Sequence, residues 1–297
     1  MKKILSKKLL FFSILLFGIF GLSGNSLAAI TFGNTGNTGL WECDFGNSPE
    51  WTADISHTTP PGGYGIGVSN NNGTAAGHWS QITSSAGRQN MGWRQWMGSG
   101  ASGINDNSAG VKAFFSAQSE IWFRMYVRFQ SGITWVTGGN QPYFKKMMYV
   151  NQGRSPYYCL DVVSNDAVSI TDGHVHKSAE PGMGYLTKFS DWGWHSMEFY
   201  INRSGGIYRV WIDETLVLEV IGDSSITIDI DNLDFLNNQR VITNASDVYI
   251  DLDDLAIAIP AYTGFKLDSH GYRMIGNVST ATPDTTPPAA PTGVIII

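Results

Sequence analysis

The sequence predicts an all-β chain folded as one large two-sheet antiparallel sandwich, and three observations point there. From Ile30 to about Tyr262, short runs rich in Val, Ile, Tyr, Phe and Trp are separated by clusters of Gly, Asn, Ser and Asp, the habit of antiparallel β domains. One run alternates strictly: Ile121, Phe123, Met125, Val127 and Phe129 interleave with Trp122, Arg124, Tyr126 and Arg128, so one face is core and the other aromatic and cationic. No window longer than two turns shows helical periodicity, and no repeat of ~20–50 residues is visible. About 230 residues of such strands exceed an immunoglobulin sandwich and suit a single larger one.

Taken in chain order, residues 1–29 read as an export signal. Lys2, Lys3, Lys7 and Lys8 precede the apolar run Leu9 to Leu22, and Ser26, Ala28 and Ala29 follow. Export of bacterial type places the mature protein outside the cytoplasm, secreted or at the cell surface. Of 19 bases and 25 acids, the signal removes four lysines and no acid. The mature balance of about −10 disfavours a nucleic-acid partner. No later stretch reaches the ~18 apolar residues that span a bilayer. The domain proper runs over 30–262. Thr31 to Gly110 is rich in Gly, Asn and Ser and reads as mostly loop with few strands.

Strands are expected at Glu120 to Phe129, Tyr143 to Val150, Tyr157 to Val163, Trp194 to Asn202, Ile207 to Asp213, Leu216 to Ile221 and Val248 to Ile259, with hairpin turns at Asn202 to Gly206 and Asp213 to Thr215. In the last strand Val248, Ile250 and Leu252 hold even positions, whereas Leu255, Ile257 and Ile259 hold odd ones. A single bulge near Asp253 and Asp254 keeps both sets facing the core. A C-terminal extension covers 263–280, and residues 281–297 are a Pro/Thr-rich linker. Cys43 and Cys159 are the only cysteines; in an oxidising compartment they are either one disulfide or two buried thiols.

Four stretches resemble the concanavalin A-like lectin/glucanase superfamily, in the style of secreted polysaccharide lyases and laminin-G-like modules. They are LWECDFGNSPEW, EIWFRMYVRF, WHSMEFYINRSGGIYRVWIDETLVLE and DVYIDLDDLAIA, about a third of the mature chain in the right order. The resemblance implies a jelly-roll sandwich that recognises polysaccharide. The paired-Glu strand E-x-D-x-x-E of the glucanase branch is absent, which argues against glycoside hydrolysis by that route. Separately, DTTPPAAPTGV resembles the linker and first strand of a fibronectin type III module, so a second module is expected to follow.

The outward face of the central strand is the first candidate site: Trp122 and Tyr126 can stack on sugar rings, while Arg124 and Arg128 bind carboxylates or sulfates bidentately. Alternatively, loops cover this face and the arginines pair with structural acids. Tyr143, Lys145 and Tyr149 are expected on one face of a neighbouring strand. His174 and His176, two apart, point the same way on a strand, beside Asp172; they are a weak zinc pattern or simply exposed histidines. In a lyase, cleavage of a uronate chain needs a base for the proton α to the carboxylate and a cation for the enolate. His174, His176 or Tyr208 would serve as base and Arg124 as the neutralising group.

In the resembling folds a structural calcium often joins first and last strands, which here implies Glu42 or Asp44 with Asp251 or Asp253. Oxygen-rich acids suit that ion, and solvated acids at strand ends are the alternative. The expected partner is a polysaccharide, and the basic residues extend that to an acidic one. No catalytic motif is complete. The leading reading is therefore a carbohydrate-binding module, with a polysaccharide lyase or a non-catalytic adhesion module as the other two.

Overall fold

The computed structural model describes residues 30–46, 51–53, 66–69, 80–97, 106–107, 110–132, 145–151, 158–162, 168–171, 176–178, 189, 191–223, 227–236, 239–240 and 248–277. The export signal, the linker over 281–297, Tyr143 and His174 lie outside the described residues.

The chain forms an all-β sandwich of two antiparallel sheets. The larger sheet contains β1 (Leu40–Cys43), β2 (Trp51–Ala53), β4 (Ser80–Thr83), β5 (Gly92–Met97), β8 (Glu120–Phe129), β13 (His195–Asn202), β14 (Ile207–Ile212), β15 (Thr215–Val220) and β18 (Val248–Ala258). The second contains β3 (Ile66–Ser69), β7 (Gly110–Gln118), β9 (Lys145–Val150), β10 (Tyr158–Val162), β11 (Val168–Thr171), β12 (His176–Ser178) and β16 (Ile230–Phe235). Two small ribbons pair β6 (Asp106–Asn107) with β17 (Gln239–Arg240), and β19 (Lys266–Leu267) with β20 (Arg273–Met274). Among the described residues no helix is long and apolar enough to cross a membrane.

All seven expected strands are present, within three residues at each end. The N-terminal part carries more strands than its Gly-rich composition suggests: β1 to β6 all fall within Thr31 to Gly110. Strands β7 and β16 were also not among those the pattern marks. In β16 the buried Asn232 and Asp234 interrupt the apolar run. Burial is possible because Asn232 Nδ2 donates to Asp231 at 2.9 Å and Lys112 reaches Asp234 at 3.3 Å.

Strand β8 sits in the middle of the larger sheet, between β13 and β18. Its inward residues Ile121, Phe123, Met125, Val127 and Phe129 join Met197, Phe199, Ile250, Leu252, Leu255 and Ile257 in the core between the sheets. The second sheet supplies Val111, Ala113, Met148, Val150, Leu233 and Phe235 to the same core. Each fully buried apolar side chain of this size contributes ~1.5–3 kcal/mol.

The bulge in β18 lies where the parity changes. Pairing with β8 slips between Asp253 and Ala256, and Asp254 takes a left-handed φ of 46°. One edge of β18 follows β8 throughout, whereas the other pairs with β5 up to Leu252 and with β1 from Leu255 onward. The two-residue turn Asp213–Glu214 has positive φ at both positions, 49° and 62°, the twist that closes a tight hairpin.

Residues 260–277 fold back over the outward face of the larger sheet. Met274 and Ile275 pack with Leu40, Trp122, Tyr200, Trp211, Ala256 and Ala258 in a second buried cluster, edged by Tyr262, Phe265 and Tyr272. The fold-back begins where Ile259 donates to Gly39 at 2.9 Å. Gly39 is needed there: its φ is +78°, and a Cβ would run into the backbone of Ala261 and Tyr262.

Candidate functional site

The central strand has the expected register, but its outer face is not the open face that alternation suggested. Trp122, Arg124 and Tyr126 are buried beneath the C-terminal segment. The Trp122 indole N–H donates to the Arg273 carbonyl at 2.9 Å, Arg124 to the Gly276 carbonyl at 2.5 Å, and the Tyr126 hydroxyl to Asn277 Oδ1 at 2.9 Å. A ligand could meet these three only with that segment displaced. Alternation reports which side of a sheet a residue faces; it carries no information about what covers that side.

A second correction concerns the neighbours of β8. Lys145 and Tyr149 lie on β9, which belongs to the other sheet, so they share no groove with Arg124 and Arg128. Tyr149 is buried. Tyr208 is buried within the inter-sheet core. His176 lies on β12 in the second sheet, away from the β8 strand that carries Arg124.

Next to the part covered by residues 260–277, three arginines form a repeated arrangement among the described residues. Arg88 lies over the Tyr126 ring at 3.6 Å, Arg94 over Tyr249 at 3.6 Å and Arg128 over Trp194 at 4.8 Å. Each also reaches a carboxylate of β18. Arg88 pairs with Asp254, while Arg94 and Arg128 share Asp251, at 2.7 and 2.6 Å. Arg94 and Arg128 each direct Nη2 at the Ser85 carbonyl, both at 3.0 Å. That carbonyl comes from the 3₁₀ turn Ser84–Ala86, capped by Thr83.

Trp194 was not singled out by the sequence reading, although a signal for it was present. His195, Met197, Phe199 and Ile201 mark the core face of β13, so Trp194 falls on the opposite face by parity. His195 itself is on the core side, edge-on to Phe189. Its ring nitrogens meet Asp213 at 2.7 Å and Asp191 at 3.0 Å. Burial pulls the imidazole pKa down, but the two carboxylates outweigh it and the net shift is upward.

The four acids considered for a metal have distinct surroundings. Asp251 accepts from two guanidinium groups. Asp44 caps its own turn through Gly46 N–H at 2.9 Å. Glu42 takes the Thr35 hydroxyl at 3.0 Å and lies 3.9 Å from Arg124. Asp253 accepts the N–H groups of Arg88 and Asp254 at 2.7 and 2.8 Å. Burial and then the charge of Asp254 push its carboxyl up to about 8. Among the described residues no three His, Cys, Asp or Glu side chains are grouped to hold a metal ion. Of the two states open to the cysteines, Cys43 is a free, buried thiol, and burial raises its pKa.

No family model matches the chain, and no curated protein does. Among solved structures it is similar to the binding domain of botulinum neurotoxin DC in complex with rat synaptotagmin II, with 10% identity and a TM-score of 0.41 over 67% of this chain and 45% of that one. It is also similar to the binding domain of Paraclostridial Mosquitocidal Protein 1, with 12% identity and a TM-score of 0.43 over 70% and 48%. A sialidase gives 8% identity and 0.45 over 78% of this chain and 20% of that one. The chain thus spans less than half the length of each of these structures.

Proposed function

We propose that this protein is an exported carbohydrate-recognising module whose ligand meets the open end of the outer sheet face, at Trp194 and Arg128. The observation that carries the reading is their stacked pair, half-buried beside the start of β13 and not covered by residues 260–277. A pyranose has apolar C–H faces and hydroxyl edges. An indole offers a flat apolar surface for the first, and a guanidinium fork offers donors for the second. The site rests on three packed strands, β8, β13 and β18, which hold it rigid before the ligand arrives.

The apolar, lysine-led segment 1–29 supports export; N-terminal sequencing of protein recovered outside the cell tests it. A structural calcium ion belongs to the same proposal. The residues proposed to hold it are Glu42 or Asp44 at β1 with Asp251 or Asp253 on β18. A native-state ligand at a hundredfold excess over Kd stabilises by about 2.7 kcal/mol, so a chelator should lower the melting temperature by several degrees. An unchanged transition removes calcium from the account.

The binding proposal is tested by titrating the mature protein with a panel of neutral, uronic-acid and sulfated polysaccharides, following tryptophan fluorescence and heat. Saturable binding that Trp194→Ala weakens at least tenfold is the expected result. Absence of binding across the panel overturns it. Absorbance near 235 nm in the same samples detects any unsaturated uronate and so tests for lyase turnover.

A further inference from the structure

We propose that the ligand of this open end is an anionic glycan, with a carboxylate or sulfate group seated on Arg128. The inference rests on the carbohydrate reading and deepens it to a substrate class.

Charge bookkeeping at the site is the first argument. Arg94 and Arg128 share a single carboxylate, Asp251, which is fully buried. Among the described residues two guanidinium groups thus meet at one carboxylate. The nearby Arg88–Asp254 pair is balanced. This positive end belongs to a chain whose acids outnumber its bases, 25 to 19, so it is set against the global sign.

Geometry selects which arginine meets the ligand. Side-chain exposure is 28% for Arg128 against 11% for Arg94 and 12% for Arg88. Arg128 turns Nε and Nη2 toward Asp251, at 3.1 and 2.6 Å, and Nη2 also toward Ser85. Its Nη1 makes no hydrogen bond among the described residues. One edge of the fork is therefore fixed by a buried acid, while the remaining donors are free for an oxyanion. Fixing the guanidinium beforehand removes the rotamer entropy a solvated arginine would lose on binding. The Trp194 ring under it holds the plane in place.

The test uses the mature protein with uronate oligosaccharides, sulfated oligosaccharides and neutral oligosaccharides of matched length, at low and at physiological ionic strength. Expected are binding of at least one anionic class, affinity falling severalfold as salt rises toward a Debye length of ~8 Å, and a tenfold or greater loss in Arg128→Gln. Arg128→Lys, which keeps the charge without the fork, should recover part of that loss. Melting curves of both variants confirm that they are folded, and the salt dependence of the wild type tests the inference without any variant. Which anionic class binds separates carboxylate from sulfate. Neutral oligosaccharides binding as tightly, without salt dependence, would overturn the anionic assignment and leave the carbohydrate reading intact. No binding of any class would overturn both.

Discussion

Glu198 lies directly across from Arg124 on adjacent strands, and the two side chains hold Gly276 by both of its backbone groups. The carboxylate accepts the Gly276 N–H at 2.9 Å, and the Ile275 N–H as well. The guanidinium donates to the Gly276 carbonyl at 2.5 Å. Both side chains are buried. These hydrogen bonds from two buried side chains fasten a segment with few regular hydrogen bonds of its own.

Loss of either side chain should loosen the segment. Arg124→Met takes the donor from the Gly276 carbonyl and the nearby cation from Glu198, at a cost of about 1–3 kcal/mol for the polar groups left unpaired. Arg124→Met combined with Glu198→Leu should cost less than the sum of the singles, since either change already loosens Ile275 and Gly276. Denaturant unfolding of the two singles and the double gives the coupling directly. Additive losses would show that the pair does not act as a unit.

Gly276→Ala should release the same fastening by another route. Its φ is +76°, and a Cβ would lie 2.5 Å from the Lys266 side chain. Expected is a loss of about 1–3 kcal/mol with faster hydrogen exchange at Ile275 and Gly276. Unchanged exchange at those two amides would refute it.

Stability should fall as pH rises from about 5 to 8. Burial pushes Glu198 up to about 7 from 4.5, against the pull of two N–H groups and Arg124, and Asp253 up to about 8 from 3.8. In the unfolded chain both have released their protons by pH 6, so between those values the folded state binds more protons and loses stability as pH increases. His195 acts with the same sign. Raised above 6.5 by Asp213 and Asp191, it contributes stability that is fully present below 6.5 and is lost as pH passes its folded value. Glu198 alone accounts for on the order of 3 kcal/mol across its window. Melting temperature against pH should flatten in Glu198→Gln over the lower part of the range and in His195→Phe over the upper part. A wild-type profile rising from pH 5 to 8 would contradict the assignment.

These relationships show where sequence reading succeeds and where it stops. The inward set of β8, the bulge at Asp253–Asp254 and the turn at Asp213–Glu214 were legible because each depends on side-chain parity or local backbone twist. The sheet that receives β9 was not, since alternation along Lys145–Val150 is the same whichever strand lies alongside. The covering of Trp122, Arg124 and Tyr126 was equally hidden. Residues 262–277 dock through dissimilar contacts, such as Asp268 accepting the Trp211 indole N–H at 2.8 Å and Asn277 accepting the Tyr126 hydroxyl at 2.9 Å, and no period marks them. Of the aromatic and basic residues singled out on β8, only Arg128 lies clear of residues 260–277, and its partner Trp194 could be found from the parity of β13.

The bulge itself yields a discriminating pair of deletions. With Asp254 removed, Leu255 follows Asp253 directly, and a regular alternation then carries Leu252, Leu255 and Ile257 to the core. Asp253 still faces Tyr126 and Ala256 still faces Arg124, so no register elsewhere has to move. This deletion should fold, at a cost of about 1 kcal/mol for the lost pair with Arg88, whose side chains are partly exposed. Deleting Ala256 leaves the bulge in place and puts Ile257 out of phase with Leu255. The fully buried Ile257 is then driven to the outer face beneath Met274 and Ile275, and the core loses its side chain at ~2–5 kcal/mol besides the disruption of β1 pairing. Circular dichroism and urea unfolding of the two proteins should show the first native-like and the second unfolded or severely weakened. Equal damage from both deletions would mean that Asp254 is structurally required and that the bulge does more than absorb one residue.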